Sequence, residues 1–198
     1  MYATPEEIVR YAADLIRSGT RLDTQAIAAQ FGMSRTTLFR KVGNREQLLG
    51  EALWWLAEAA LSRANDRWQR EYGTALRDDR GRLRSLRILE YYGATVVGDP
   101  GFAWLLENDP TALRVLTNPQ GEVQPRLIAA HATLFDRDIL EGGLAPVVDV
   151  QTLSFAVVRL EDAILYSDVL AGHAANFPAA VTLVQHLVES VLQASAPA

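Results

Sequence analysis

Cysteine is absent from the 198 residues. That excludes a disulfide framework, thiolate zinc sites, cysteine nucleophiles and thiol redox switching. No apolar run approaches the roughly 18 residues that a membrane span needs. The N-terminal stretch carries Glu6, Glu7 and Asp14 and no apolar h-region. A secretory signal is therefore not expected, and the cytoplasm is the expected compartment. Lysine is nearly absent as well: Lys41 stands alone. The histidines His131, His173 and His186 show no metal-ligand spacing among themselves or with carboxylates. There is no glycine-rich phosphate loop, no Gly-x-Ser-x-Gly elbow and no His-Glu-x-x-His. Neither an enzyme nor a metal or organic cofactor is expected. Strand signals are scarce too, with no alternating β-branched run and no Asn-Gly hairpin turn.

What remains is an ordinary globular composition, 49% hydrophobic and 22% charged. The length suits one large domain or two small ones. The net charge of −5 divides unevenly. Residues 1–50 hold seven basic and five acidic groups, a balance of +2; residues 51–198 hold twelve basic and nineteen acidic groups, a balance of −7. The split suggests a small N-terminal unit with one task and a larger acidic body with another.

Helix punctuation is dense, and an all-α fold of about nine or ten helices is expected. Thr4-Pro5-Glu6-Glu7 combines an N-cap, a proline at the first helical position and a capping box. Ile8, Ala12, Leu15 and Ile16 follow on one face, and Gly19 ends the helix. Asp23 caps a second helix with Ala26, Ile27 and Phe31 as its apolar face, and Gly32 breaks it. Ser34 caps a short third helix reaching Val42, with Leu38 and Val42 inward. Asn44-Arg45-Glu46-Gln47 is another capping box, opening a long helix over 45–72 with Leu48, Leu49, Leu53, Leu56 and Ala60 along one side. Further helices are expected at 83–97, 102–107, 111–116, 123–140, 147–170 and 178–192, with a frayed end over 194–198.

Residues 23–42 carry the functional signal. Two helices of about eight residues around a turn with Gly32 have helix-turn-helix spacing. With Ala26, Ile27, Leu38 and Val42 inward, the second helix shows Arg35, Thr36, Thr37, Arg40 and Lys41 outward. Small hydroxyls and cations suit base edges and phosphates. No acidic residue occurs from Met33 to Asn44. A plain helical hairpin in an α bundle fits the bare pattern as well.

The flanking residues go further. Ile27-Ala28, the spaced Gly32, Ser34-x-x-x-Leu38-Phe39, Val42, the Gly43-Asn44 turn and Arg45-x-x-Leu48 resemble the TetR family of bacterial transcriptional regulators over about 45 residues. The chain departs from the family pattern at three positions. Phe39 stands where a tyrosine is usual, so a phosphate hydrogen bond is lost. Val42 replaces a larger phenylalanine, and Arg45 replaces a lysine beside a helix N-terminus. The resemblance implies a helix-turn-helix DNA-binding domain over 1–46 and a helical ligand-binding and dimerisation domain over 47–198. It implies that Thr24 meets the phosphate backbone, that Arg35, Thr36 and Thr37 read bases, and that Phe39, Arg40, Lys41 and Arg45 position the duplex. The partners it implies are a double-stranded DNA operator, a small-molecule effector and a second copy of the chain, with no membrane. The function expected is a ligand-responsive regulator, a repressor on a palindromic operator released by a small apolar effector. The rival is an all-α signalling or adaptor module whose N-terminal hairpin meets a protein.

In the body, the last two helices are apolar on most sides and need cover. Leu183, Val184, Leu187, Val188 and Val191 stripe the last one. A four-helix dimer interface with a second copy is expected to cover them, as the resemblance also implies; a purely intramolecular core is the alternative. Phe155, Arg159, Asp162 and Tyr166 share one face of the preceding helix, either as a pocket wall offering donors to a carbonyl or carboxylate, or as a local ion pair or polar seam. The segment 159–168 is similar to the C-terminal domain of QsdR-type TetR regulators, which implies a lactone or acyl-type signal. Trp55, Tyr91, Tyr92, Trp104, His131 and Phe135 are the further pocket candidates, with ordinary core packing as the alternative. The eight arginines between Arg63 and Arg87 are interleaved with acids and suit a solvated face. The long fourth helix starts at Arg45 and passes Trp54 and Trp55, so a shift at a ligand can reach the DNA contacts.

Overall fold

The computed structural model describes residues 3–173 and 175–194. Among them are ten helices and one ribbon of two three-residue strands. The helices are α1 (Pro5–Arg17), α2 (Thr24–Gln30), α3 (Arg35–Val42), α4 (Arg45–Tyr72), α5 (Arg84–Val97), α6 (Pro100–Asn108), α7 (Pro110–Thr117), α8 (Gln124–Gly142), α9 (Val150–Leu170) and α10 (Phe177–Val191). The all-α reading holds, and no described helix is long and apolar enough to cross a membrane.

Most helix boundaries follow from side chains that satisfy the free amides of the first turn. Thr4 and Glu7 form the capping box of α1, with bonds of 2.7 and 3.2 Å. Asp23 accepts from the Gln25 amide at 2.8 Å, and Ser34 accepts from the Thr37 amide at 3.1 Å. Asn44 and Gln47 exchange two bonds of 2.9 Å at the start of α4. Asp99, Asp109 and Asp149 cap α6, α7 and α9 in the same way.

The described chain forms two compact units. The N-terminal unit takes the residues up to Ala59 together with Gly98–Pro125. Its core is Ile8, Ala12, Ala13 and Ile16 of α1, Ile27 and Ala28 of α2, Leu38 of α3, and Leu48, Leu49, Ala52 and Leu53 of α4. Ala26, expected inward, is exposed; Ala28 takes its place, and Val42 is half-buried. Helix α6 crosses the end of α1 at Gly101, where a Cβ atom would stand 2.3 Å from the Ile16 carbonyl oxygen. Only glycine permits that approach.

The C-terminal unit takes Ala60–Val97 and the residues from Arg126 onward. Leu83 just before α5, Leu86 and Leu89 of α5, Phe135 of α8, Leu153 and Val157 of α9, and Val184, Val188 and Val191 of α10 make its core. Arg84 is an inward exception to the expected solvated arginine face. It is 1% exposed, and its Nε donates to Asp138 at 2.9 Å and its Nη1 to Glu141 at 2.5 Å. The ribbon pairs β1 (Leu144–Pro146) with β2 (Leu192–Ala194), antiparallel, Leu144 opposite Ala194. This corrects the expected fraying at Ala194; the rest of that expected segment, 195–198, lies outside the described residues.

Candidate DNA-contacting helix and effector site

Helices α2 and α3 meet through a turn set by backbone hydrogen bonds. The Gly32 amide donates to the Ala29 carbonyl at 3.0 Å and the Met33 amide to Ala28 at 2.9 Å. This glycine-terminated closure needs a positive φ, and Gly32 supplies +60°. Tyr11 buttresses the end of α2, its ring edge-on to Phe31 at 5.4 Å. The unit therefore holds α3 rigidly with one face turned out. Arg35, Thr36 and Arg40 are exposed; Thr37, Phe39 and Lys41 are half-buried. The Arg35 guanidinium lies over the Phe39 ring at 4.9 Å from its centroid. Ser34 and Thr37 hydroxyls stand 3.0 Å apart.

Two residues expected at the DNA sit otherwise. Thr24 is buried at 5% exposure, so its side chain is largely covered by the protein. Arg45 is engaged on three sides. Its Nε donates to the Leu22 carbonyl at 3.1 Å, its Nη1 to Thr111 at 2.9 Å and its Nη2 to the Asp109 carboxylate. Burial opposes the charge on Asp109, but Arg45 and Thr111 outweigh it and hold its carboxyl below the usual range. Arg45 thus ties the α2 entry and the cap of α7 to the first turn of α4.

The body's candidate residues fall into separate places. Trp55 and Trp104 belong to the N-terminal unit, where Trp104 packs over Gly19. Phe135 is fully buried in the core of the C-terminal unit. Tyr91 is clamped between the guanidinium groups of Arg67, at 3.9 Å, and Arg87, at 4.4 Å, and its hydroxyl donates to Glu71. Trp104, Phe135 and Tyr91 thus pack against or brace other groups of the chain. Phe155 is 48% exposed, with the Arg159 guanidinium 5.5 Å above its ring. This places the Phe155–Arg159 pair on an outer face of α9. On α10, Val184, Val188 and Val191 are buried in the unit's own core, Leu187 is half-buried against it, and Leu183 is 50% exposed. The stripe expected at a dimer seam is thus mainly intramolecular core.

Tyr92, His131, Asp162 and Tyr166 do come together, joined by Glu161. His131 is fully buried, its Nδ1 2.8 Å from the Leu127 carbonyl and its Nε2 3.2 Å from Glu161 Oε2. The Tyr166 hydroxyl bonds to Asp162. Burial pushes the phenols of Tyr92 and Tyr166 well above the ordinary tyrosine value, and the carboxylates Glu161 and Asp162 push the same way. Neither tyrosine is wholly buried, however. This cluster is the candidate wall of an effector recess. Sequence reasoning missed Glu161 and the nearby Trp68. Trp68 is fully buried among Ala64, Ile88 and Tyr91, with Tyr92 and Leu134 packed against the same cluster. Among the described residues no group of three or more His, Asp and Glu is placed to hold a metal.

A helix-turn-helix followed by a helical body is the architecture of a one-component transcription regulator. The family model described as "Tetracyclin repressor-like, C-terminal domain" matches residues 80–189. The chain belongs to the TetR family and is a ligand-responsive, DNA-binding transcription regulator. Solved structures share the fold. The transcriptional repressor QsdR of R. erythropolis aligns at a TM-score of 0.79 and 22% identity, over 98% of this chain and 97% of that one. A TetR transcription regulator of Haloarcula marismortui aligns at 0.58 and 18%, over 96% and 98%. The repressor AlkX of Dietzia sp. strain DQ12-45-1b, implicated in biodegradation of n-alkanes, aligns at 0.55 and 18%, over 94% and 98%. No curated protein sequence matches the chain.

Proposed function

We propose that the protein is a cytoplasmic repressor, not an enzyme, that grips a palindromic operator as a dimer and lets go when a small, largely apolar molecule enters the recess beside Tyr92 and Tyr166. The functional boundary falls near residue 46, with the DNA-contacting segment before it. The single observation that carries the DNA reading is the outer face of α3: cations and hydroxyls, held by a rigid turn, with no acid from Met33 to Asn44. Arg35, Thr36 and Thr37 read base edges; Phe39, Arg40, Lys41 and the backbone around Thr24 set the register on the phosphates. Arg45 acts from behind, by fixing the first turn of α4. Helix α4 carries both Arg45 and Trp68, so a change at the recess has a continuous path toward the DNA contacts.

Two copies meet through the outer faces of α9 and α10, where Phe155 and Leu183 stay half-exposed in one chain. Dyad symmetry then sets half-site centres about one helical turn apart, or a multiple of it. The DNA reading is tested by fluorescence anisotropy on operator-containing and random duplexes across a salt series. Lys41→Ala is expected to weaken both duplexes alike and to flatten the salt slope by about one unit. Arg35→Ala is expected to erase preference between them, at a loss of about 1–3 kcal/mol on the operator alone. Equal losses on both duplexes for both variants would refute the division into readers and positioners. Salt-insensitive binding would refute DNA recognition by α3.

A further inference from the structure

The side chains assigned to base edges differ in what they can tell apart. Thr37 keeps its hydroxyl at the helix cap, 3.0 Å from the Ser34 hydroxyl. Thr36 is exposed, but a hydroxyl rotates to suit a donor or an acceptor and so discriminates weakly. Arg35 offers donors only, in a rigid planar fork. It is the first residue of α3, at the end of a recognition helix that reaches base edges, whereas Arg40 and Lys41 lie in the last turn.

A second observation concerns how that fork is held. Arg35 and Phe39 stand four residues apart, on one face of α3. The guanidinium carbon of Arg35 lies 4.9 Å from the centroid of the Phe39 ring. No acid occurs from Met33 to Asn44 to draw it off. Phe39 is half-buried and Arg35 exposed, so the ring is anchored in the unit and the fork rests on it. Stacking engages the face of a guanidinium and leaves its N–H edge free to donate. A long cation free in water gives up rotamer freedom on docking; one already seated on a ring has given up part of it beforehand. Phe39 has no polar atom, so its ring acts by packing alone.

We propose that Phe39 seats Arg35 for the bidentate reading of a guanine in the major groove, which makes a G·C pair a fixed feature of the operator. The guanine edge presents two neighbouring acceptors, N7 and O6, to two parallel donors. Adenine sets a donor amine beside its acceptor, cytosine shows a donor, and thymine sets a methyl beside a single acceptor. Arg35 is then the reader and Phe39 a positioning residue. The inference rests on the DNA reading of α3 above and names the base that it recognises.

The test selects sites for the full chain from a pool of duplexes with a randomised core, and then reads binding by anisotropy. Selected sites should share a G·C pair, and exchanging it for A·T should weaken the wild type at least about tenfold. Arg35→Lys keeps the charge and loses the fork, and should cut that ratio to below about threefold. Phe39→Leu should cut it by about two- to fivefold, whereas Phe39→Tyr, which keeps a ring face, should hold it within about twofold of wild type. A purely structural role for Phe39 would weaken the G·C and A·T duplexes alike and leave the ratio unmoved. Circular dichroism checks folding, and Phe39→Met takes the place of the leucine variant if that one does not fold. A ratio that survives Arg35→Lys overturns guanine reading by Arg35, and one that survives loss of the ring overturns the seat; the DNA reading stands in both cases. Selected sites without a shared guanine also overturn the proposal alone. Failure to enrich any sequence overturns base reading by α3 altogether, and the inference with it.

Discussion

Arg45 shows how a single side chain changes role with its partners. Its place at the start of a helix after a helix-turn-helix suits a phosphate contact. In the structure its guanidinium bonds Leu22, Thr111 and Asp109 instead. Asp109 is 7% exposed, so removing the arginine leaves a nearly buried carboxylate without its main partner. Arg45→Ala should therefore cost about 2–3 kcal/mol of stability, seen as a lower midpoint in urea. The pH dependence follows from the sign of the Asp109 shift. Its native carboxyl sits below the ordinary value, so the stabilisation is complete above about pH 4 and is lost as pH falls through the depressed native value. Acid titration of wild type and Arg45→Ala should converge at low pH and diverge above it. A constant gap down to the acid limit would show that the ion pair is not the cause. Nothing near Arg45 in sequence announces this. The partner lies 64 positions away, and only the folded chain brings it in.

At the scale of elements, ends were more legible than faces. Caps are local: Thr4 with Glu7, Asp23, Ser34, and Asn44 with Gln47 satisfy amides within three residues, and the sequence pattern locates them closely. Long helix α4 runs over the expected residues 45–72. Faces depend on what covers them. Periodicity groups Val184, Val188 and Val191 on one side of α10, but does not say whether a neighbour in the same chain or a second copy lies there; α5, α8 and α9 lie there. The same limit holds for Phe135 and Tyr91, whose ring chemistry suits a pocket as well as a core. The β1–β2 ribbon leaves no mark in the sequence because three residues per strand are too few for an alternating pattern. The crossing of α6 over α1 is likewise unmarked in the sequence, although Gly101 permits it. Gly101→Ala should cost about 2 kcal/mol, since the methyl would strike backbone carbonyls that cannot rotate away. Thermal unfolding measures it. A midpoint equal to wild type would mean that α6 shifts without penalty.

For the whole molecule, the decisive question is what covers α9 and α10 on their outer sides. Phe155 and Leu183 remain half-exposed on these two packed helices, and large apolar groups on adjacent elements favour association. Leu183→Glu should raise the dimer dissociation constant at least about 100-fold, because two carboxylates and a lost leucine meet in the seam of a symmetric pair. Sedimentation equilibrium should find a dimer in wild type and a monomer in the variant at micromolar concentration, with unchanged helicity. A variant that stays dimeric would move the interface elsewhere. The fold class and the helix-turn-helix are legible in the sequence, because they rest on local spacing. The cluster of Tyr92, His131, Glu161, Asp162 and Tyr166 was legible only in part, because helices distant in sequence bring it together.

Lys41 lies in the last turn of α3, and it is the single lysine of the 198 residues. Every other long cation in the chain is an arginine, which acylating reagents leave alone. A reagent selective for side-chain amines thus has one address, on the helix assigned to the duplex. A fluorophore or crosslinker can be set there on the natural sequence, with no cysteine to introduce and none to protect.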